Sequence, residues 1–239
     1  MRKKRQYGGF SLTEVLLAIG TISIGMLFIG GTFLVGIHFA TIATEQTIAA
    51  IAADEAFAKI RLYGVNLADP NLVVNQLTPF EVLNPVAEDE FAYPSAKTLA
   101  EKQYYWSALC APVYSDPNNR LVQVTVFVSR KVGSGTKYQG RAVKRPVPVR
   151  VAVSSTVGSD VLTITEPDRA TWVNDGCTVV DNQTGQLYRV MRRDVDAPNT
   201  IVLDRVWQSG LMGSVWVVPP PIGGGRDPCV AIYQNVIRF

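Results

Sequence analysis

One stretch constrains the chain more than any other. Val15 to Ile37 is an uncharged apolar run of 23 residues, with a single carboxylate, Glu14, at its mouth and four cations, Arg2, Lys3, Lys4 and Arg5, ahead of it. About 20 apolar residues suffice for a helix to cross a bilayer core. The Lys/Arg cluster assigns the preceding segment to the cytoplasmic side. An ionisable group at the edge of a span is costly and therefore points to function. Unpaired N–H groups and the macrodipole make a helix N-terminus the place where a negative charge is tolerated best. That softens the cost of Glu14 without giving a reason for it.

Gly9-Phe10-Ser11-Leu12-Thr13-Glu14-Val15, behind a basic leader and ahead of a long apolar helix, resembles the processing site of type IV pilins and of the related pseudopilins of type II secretion. The run from Glu14 to Gly20 and Ser23-Ile24-Gly25-Met26-Leu27 is closer to minor pilins of the PilV type than to major pilins. The resemblance covers residues 5–60. It implies that a prepilin peptidase cuts after Gly9 and that Phe10 becomes the N-methylated first residue. It further implies that Glu14 serves assembly with other pilin or pseudopilin subunits. Two plainer readings of the N-terminus account for less. A cleaved secretory signal has an apolar core of about 7–15 residues, shorter than this run. A bare membrane anchor gives no reason for Glu14 or for Gly8-Gly9-Phe10.

The helix is expected to continue beyond lipid. Residues 10–64 form one long element, with 10–40 as the membrane-spanning part and 41–64 as an amphipathic part. At 1.5 Å per residue such a helix reaches about 80 Å. After Ala43 charges appear, and Ala49, Ala53, Phe57 and Ile60 recur at spacings of three and four as an apolar stripe. Glu55 and Lys59 make a favourable i,i+4 pair, and Gly64 with Pro70 provides the stop. Glycines 20, 25, 30, 31 and 36 suit close helix packing in lipid, although glycine is common in membrane helices in any case.

Residues 65–153 read as a connector followed by a β body. Pro70, Pro79, Pro85 and Pro94 break the connector, with a short helix expected at Ala96–Gln103. Its acidic patch Glu88-Asp89-Glu90 lacks the ligand alternation of a calcium loop and reads as a solvated turn. Tyr104–Cys110 and the alternating Leu121–Val128 are strands, joined by a turn at Asp116-Pro117-Asn118-Asn119. Val147–Val153 is a further strand of this body, placed at an edge by Pro146 and Pro148. Residues 154–220 carry short strands at close spacing, including a hairpin turn at Asp181–Gly185, and suggest a small barrel or sandwich. Within 221–239, a glycine loop leads to a final strand, Cys229–Phe239, returning to the first sheet. The expected class is therefore α+β: a long transmembrane helix packed on an antiparallel, pilin-like sheet, with the second β unit inserted.

Composition bounds the chemistry. The 239 residues carry a net charge of +3, which would become −1 without the four leader cations. Overall charge therefore does not favour nucleic acid as a partner. The lone histidine, His38, lies in the apolar helix, which leaves no His-based triad or metal site for the β body. Gly223-Gly224-Gly225 lacks the Lys-Ser/Thr of a phosphate loop. Glu166, Asp168 and Asp175 lie near turns and are the carboxylates left for acid–base chemistry. The chain is not expected to be an enzyme or to need a cofactor or metal. Its expected partners are the peptidase, sister subunits and lipid, and its expected place is the cytoplasmic (inner) membrane with the β body outside. The alternative is an adhesin or DNA-binding module using the second β unit. Lys137, Arg141, Lys144, Arg145 and Arg150 around Tyr138 would supply phosphate contacts, and four tryptophans could serve as anchors. Of Cys110, Cys177 and Cys229, the pair Cys110–Cys229 is favoured as a disulfide, since both lie on proposed strands of one sheet.

Overall fold

The computed structural model describes residues 11–98, 101–114, 120–133, 135–139, 144–156 and 158–239. It divides into a first unit ending at Glu45 and a second, Gln46–Phe239. Helix α1 (Leu12–Tyr63) contributes residues to both.

In the first unit α1 is apolar on every side: Leu16, Phe28 and Phe33 are 62%, 71% and 68% exposed. It is the one helix among the described residues long and apolar enough to cross a membrane, and is thus a candidate single span. Its hydroxyls fold back on its own backbone. Thr21 donates to the Ala18 carbonyl at 2.9 Å, Ser23 to Ile19 at 2.8 Å and Thr32 to Phe28 at 3.0 Å. That removes most of the cost of a polar side chain in hydrocarbon.

In the second unit the same helix becomes one-sided. Ala49, Ala53, Phe57 and Ile60, the expected stripe, are buried together with Ala52 and Ala56. Four alanines let the backbone approach the sheet closely, and burial of Phe57 and Ile60 contributes about 1.5–3 kcal/mol each. The helix stops where the sequence predicts. Gly64 takes φ +75°, and its N–H donates to Ile60 at 2.9 Å. Asn84 Nδ2 donates to the Gly64 carbonyl at 2.7 Å, covering a terminal group.

The partner of the stripe is an antiparallel sheet of β1 (Thr78–Pro79), β2 (Ala92–Tyr93), β3 (Tyr104–Pro112), β4 (Leu121–Arg130) and β11 (Cys229–Arg238), ordered β1-β3-β4-β11 with β2 also on β3. Trp106, Ala108, Cys110 and the alternate valines of β4 face the helix. Leu109, Ala111 and Phe127 face the other way, onto Val180, Trp216 and Val218. With both faces covered, Tyr105 to Ala111 is buried without interruption.

What covers the second face is a closed antiparallel barrel, ordered β10-β5-β6-β9-β8-β7. Its strands are β5 (Val149–Ser155), β6 (Val161–Ile164), β7 (Thr178–Asp181), β8 (Leu187–Arg193), β9 (Thr200–Leu203) and β10 (Met212–Val217). Alternate residues fill it: Val151, Val153, Leu162, Ile164, Val179, Tyr188, Val190, Ile201, Leu203, Val215 and Val217. The architecture is α+β, with a long helix, an antiparallel sheet and a six-stranded barrel.

Two expectations are corrected. The strand expected at Val147–Val153 in the first sheet is β5, which pairs with β10 from Met212↔Ser154 to Val217↔Val149 and with β6. The barrel therefore begins before residue 154. Closure explains this, because without β5 both β6 and β10 would present unpaired edges. The short helix expected at 96–103 is turn and coil in its described residues. The acidic patch is, as expected, a turn with Glu88 and Asp89 exposed to solvent. It forms a 3-10 turn, Glu88–Phe91, and Glu90 pairs with Lys59 at 2.8 Å. The turn expected at 116–119 lies outside the described residues.

Candidate functional site

The start of α1 holds the sequence's chief candidate. Gly9 and Phe10 lie outside the described residues; Glu14 does not. Ser11 is the residue before the first helical position, and its Oγ accepts the Glu14 N–H at 3.2 Å. Glu14 Oε2 in turn accepts the Ser11 N–H at 2.9 Å and the Ser11 hydroxyl at 3.2 Å. This reciprocal pair is a capping box, which satisfies two otherwise unpaired donors of the first turn. The Ser-x-x-Glu signature was readable and gives Glu14 a local reason that the charge argument lacks. Among the described residues one carboxylate oxygen, Oε1, is left for a further partner.

Along the same unit, a Cβ built on Gly20, Gly25, Gly30, Gly31 or Gly36 meets nothing within 4 Å. These open positions, spread around the helix, are available to lipid or to another helix.

In the second unit the basic cluster does not form one face. Arg141 lies outside the described residues, Lys137 and Lys144 are exposed, and Tyr138 is buried. Arg145 is 1% exposed. Its Nε donates to Glu88 Oε2 at 2.7 Å, and its Nη1 donates to Ser107 Oγ at 2.6 Å and to the Trp106 carbonyl at 3.4 Å. The guanidinium lies 4.1 Å from the Phe91 ring centroid. Nη2 is 2.8 Å from Glu81 Oε1 but outside hydrogen-bond geometry, so that contact is purely ionic. Arg145 thus pins the connector to β3 and is lost to any nucleic-acid surface.

Of the carboxylates considered for acid–base work, Glu166 and Asp175 are engaged by neighbouring groups. Glu166 pairs with Arg169 at 3.0 Å and lies 3.5 Å from the Ala152 N–H. Asp175 accepts the Arg193 N–H at 2.7 Å. The buried Asp181 accepts from Gln183 N–H, Thr184 N–H and the Ser209 hydroxyl, holding the β7–β8 turn. No group of three His, Cys, Asp or Glu side chains stands ready for a metal among the described residues. Of the tryptophans, Trp106 and Trp207 are buried at 1% and 4% exposure, and Trp216 at 8%.

The expected Cys110–Cys229 disulfide is corrected: all three cysteines are free thiols. Cys110 pairs with Val124 of β4, whereas Cys229 pairs with Ser129 on the other side of that strand. β4 stands between them. Cys110 also belongs to the helix-facing core and Cys229 to the barrel-facing one. Burial pushes the Cys110 thiol up to about 12. Burial and then Asp227 push Cys177 up to about 12, and the same two causes raise Cys229 further.

Comparison with protein-family models, with curated proteins and with solved structures found no match.

Proposed function

We propose that this chain is a structural, non-enzymatic subunit, minor in role, of a type IV pilus-like or type II secretion filament. In this reading a prepilin peptidase cuts after Gly9, Phe10 is N-methylated, and the subunit waits in the cytoplasmic membrane with its β body outside. Assembly then moves it into a filament among sister subunits. The observation that carries the reading is the motif Gly9-Phe10 with Glu14 four residues on, set at the start of one long apolar helix. The open space beside the helix glycines supports it, since small residues let another helix approach closely. So does the free Oε1 of Glu14. Cleavage would create an amine at Phe10, and a carboxylate in an apolar bundle is stable when paired with such a cation, whereas one partner left alone costs about 3–5 kcal/mol.

Two measurements test this. Mass spectrometry of the membrane form should find a chain beginning at N-methylated Phe10; a mature chain retaining Met1–Gly9 sinks the proposal. Glu14→Gln keeps the capping box, because Gln fills the same position in it, and removes only the charge. It should insert and be processed normally yet be strongly depleted from sheared filaments. Equal incorporation of variant and wild type would leave Glu14 as a helix cap alone.

A further inference from the structure

A cavity of about 620 Å³ lies within the second unit, between the connector at 70–82 and barrel strands β5 and β10. That volume is ordinary for a site taking a small ligand or a short segment. Its walls include Pro70, Pro79 and Pro148, whose fixed φ makes them stiff before anything binds. Leu77 and Trp216 are buried beside it at 2% and 8% exposure. The Trp216 indole N–H is already committed to Asn182 Oδ1 at 2.7 Å.

The charges lining it are Glu81, Arg150 and Arg169. Glu81 is neutralised from beneath by Arg145 at 2.8 Å. Arg169 is held through its Nη1, which meets Glu166 at 3.0 Å and donates to the Arg150 carbonyl at 2.7 Å. Arg150 is exposed, and its guanidinium has no counter-ion or hydrogen bond among the described residues. It sits directly opposite Trp216 in the β5–β10 ladder, so cation and apolar floor are adjacent on the barrel's outer face.

We propose that this crevice binds an acidic peptide segment. An apolar side chain enters between the prolines and Leu77, and a carboxylate pairs with Arg150 beside the Arg169 guanidinium, which lies over the Trp172 ring. A guanidinium offers a carboxylate two parallel donors, and Arg150 is the one lining charge left unmatched. Single-stranded nucleic acid and sugars fit less well, because both stack on exposed aromatic faces, and Trp216 presents only a sliver. The inference stands apart from the filament reading, since it uses neither Phe10 nor Glu14.

The test uses the full chain in detergent micelles, with empty micelles as the blank. The probe is a Leu-Asp-Leu-Glu-Leu-amide peptide carrying an uncharged BODIPY dye on its N-terminal amine, read by anisotropy beside its neutral Asn/Gln counterpart. The acidic peptide should bind saturably, and the neutral one about tenfold more weakly or worse, as loss of one charge-assisted pair implies. Arg150→Gln should erase that difference, while Arg192→Gln, an exposed change elsewhere on the barrel, should keep it. Thermal melts confirm that both variants fold. Equal binding of the two peptides, no binding, or an unaltered preference in Arg150→Gln overturns the proposal. So does competition by polygalacturonate or oligo-dT in place of the acidic peptide.

Discussion

Replacing Arg145 by methionine should unfold the β body more readily than any conservative change on its surface. The side chain is 1% exposed, and methionine keeps the packing of its stem. What goes is the charge. Glu88 is 66% exposed at its side chain and rehydrates; Glu81, at 25%, does so in part. The full 3–5 kcal/mol for breaking a buried pair therefore overstates the loss. Ser107 is 2% exposed and loses its Arg145 partner at 2.6 Å, and a buried hydroxyl left unsatisfied costs about 1–3 kcal/mol. The cation over Phe91 adds about 0.5–2 kcal/mol. Together these give about 2–4 kcal/mol. For a body of this size each kcal/mol moves Tm by about 2–4 °C, so the shift should be roughly 5–15 °C. Urea unfolding of the full chain in micelles, followed by tryptophan fluorescence, measures it. Glu88→Gln, at the exposed end, should cost about 1 kcal/mol or less. An Arg145→Met midpoint within about 1 kcal/mol of wild type, or a Glu88→Gln loss as large as that of Arg145→Met, would refute the idea that Arg145 pins connector to sheet.

Three more outcomes follow from the same fold. Cys110 and Cys177 have folded pKa values raised to about 12 against an ordinary value of 9, so their contribution to stability is whole below pH 9 and is lost as pH rises from 9 towards 12. Urea midpoints should fall over that window, less steeply in Cys110→Ala, and maleimide should label these two thiols only after denaturation. Gly185 holds φ +71° with an added Cβ only 2.5 Å from Gln123 Nε2; Gly185→Ala should cost about 1–2 kcal/mol, and an unchanged midpoint would contradict the turn geometry. Ser11→Ala removes half of the capping box and should destabilise the first turn of α1 by about 0.5–2 kcal/mol, seen as faster amide exchange at Thr13 and Glu14.

Much of the molecule was legible because its signals are local. The stripe at Ala49, Ala53, Phe57 and Ile60, the stop at Gly64 and the turn at Asp181–Gly185 each depend on residues within a few positions of one another. The capping box at Ser11 and Glu14 is equally local, a Ser-x-x-Glu spacing at the start of the apolar run. Arg145 was different. Among Lys137, Lys144 and Arg150 it reads as one more surface cation, and nothing nearby in the chain says that Glu81 and Glu88, some 60 residues earlier, enclose it.

The amino-acid order by itself determined the apolar helix, its change of character after Ala43, the alternation of β4 and the presence of a second β unit. Those are consequences of residue period and of which side chains water rejects. Only the tertiary structure decided which sheet owns Val149–Ser155, which face of the central sheet each cysteine occupies, and which charges are buried. Strand ownership is settled by the edges that closure must satisfy, and burial by a second layer arriving from a distant part of the chain. An alternating strand looks the same whether its far face meets water or a barrel, so the uninterrupted burial of Tyr105 to Ala111 became visible only once Val180 and Trp216 lay against it.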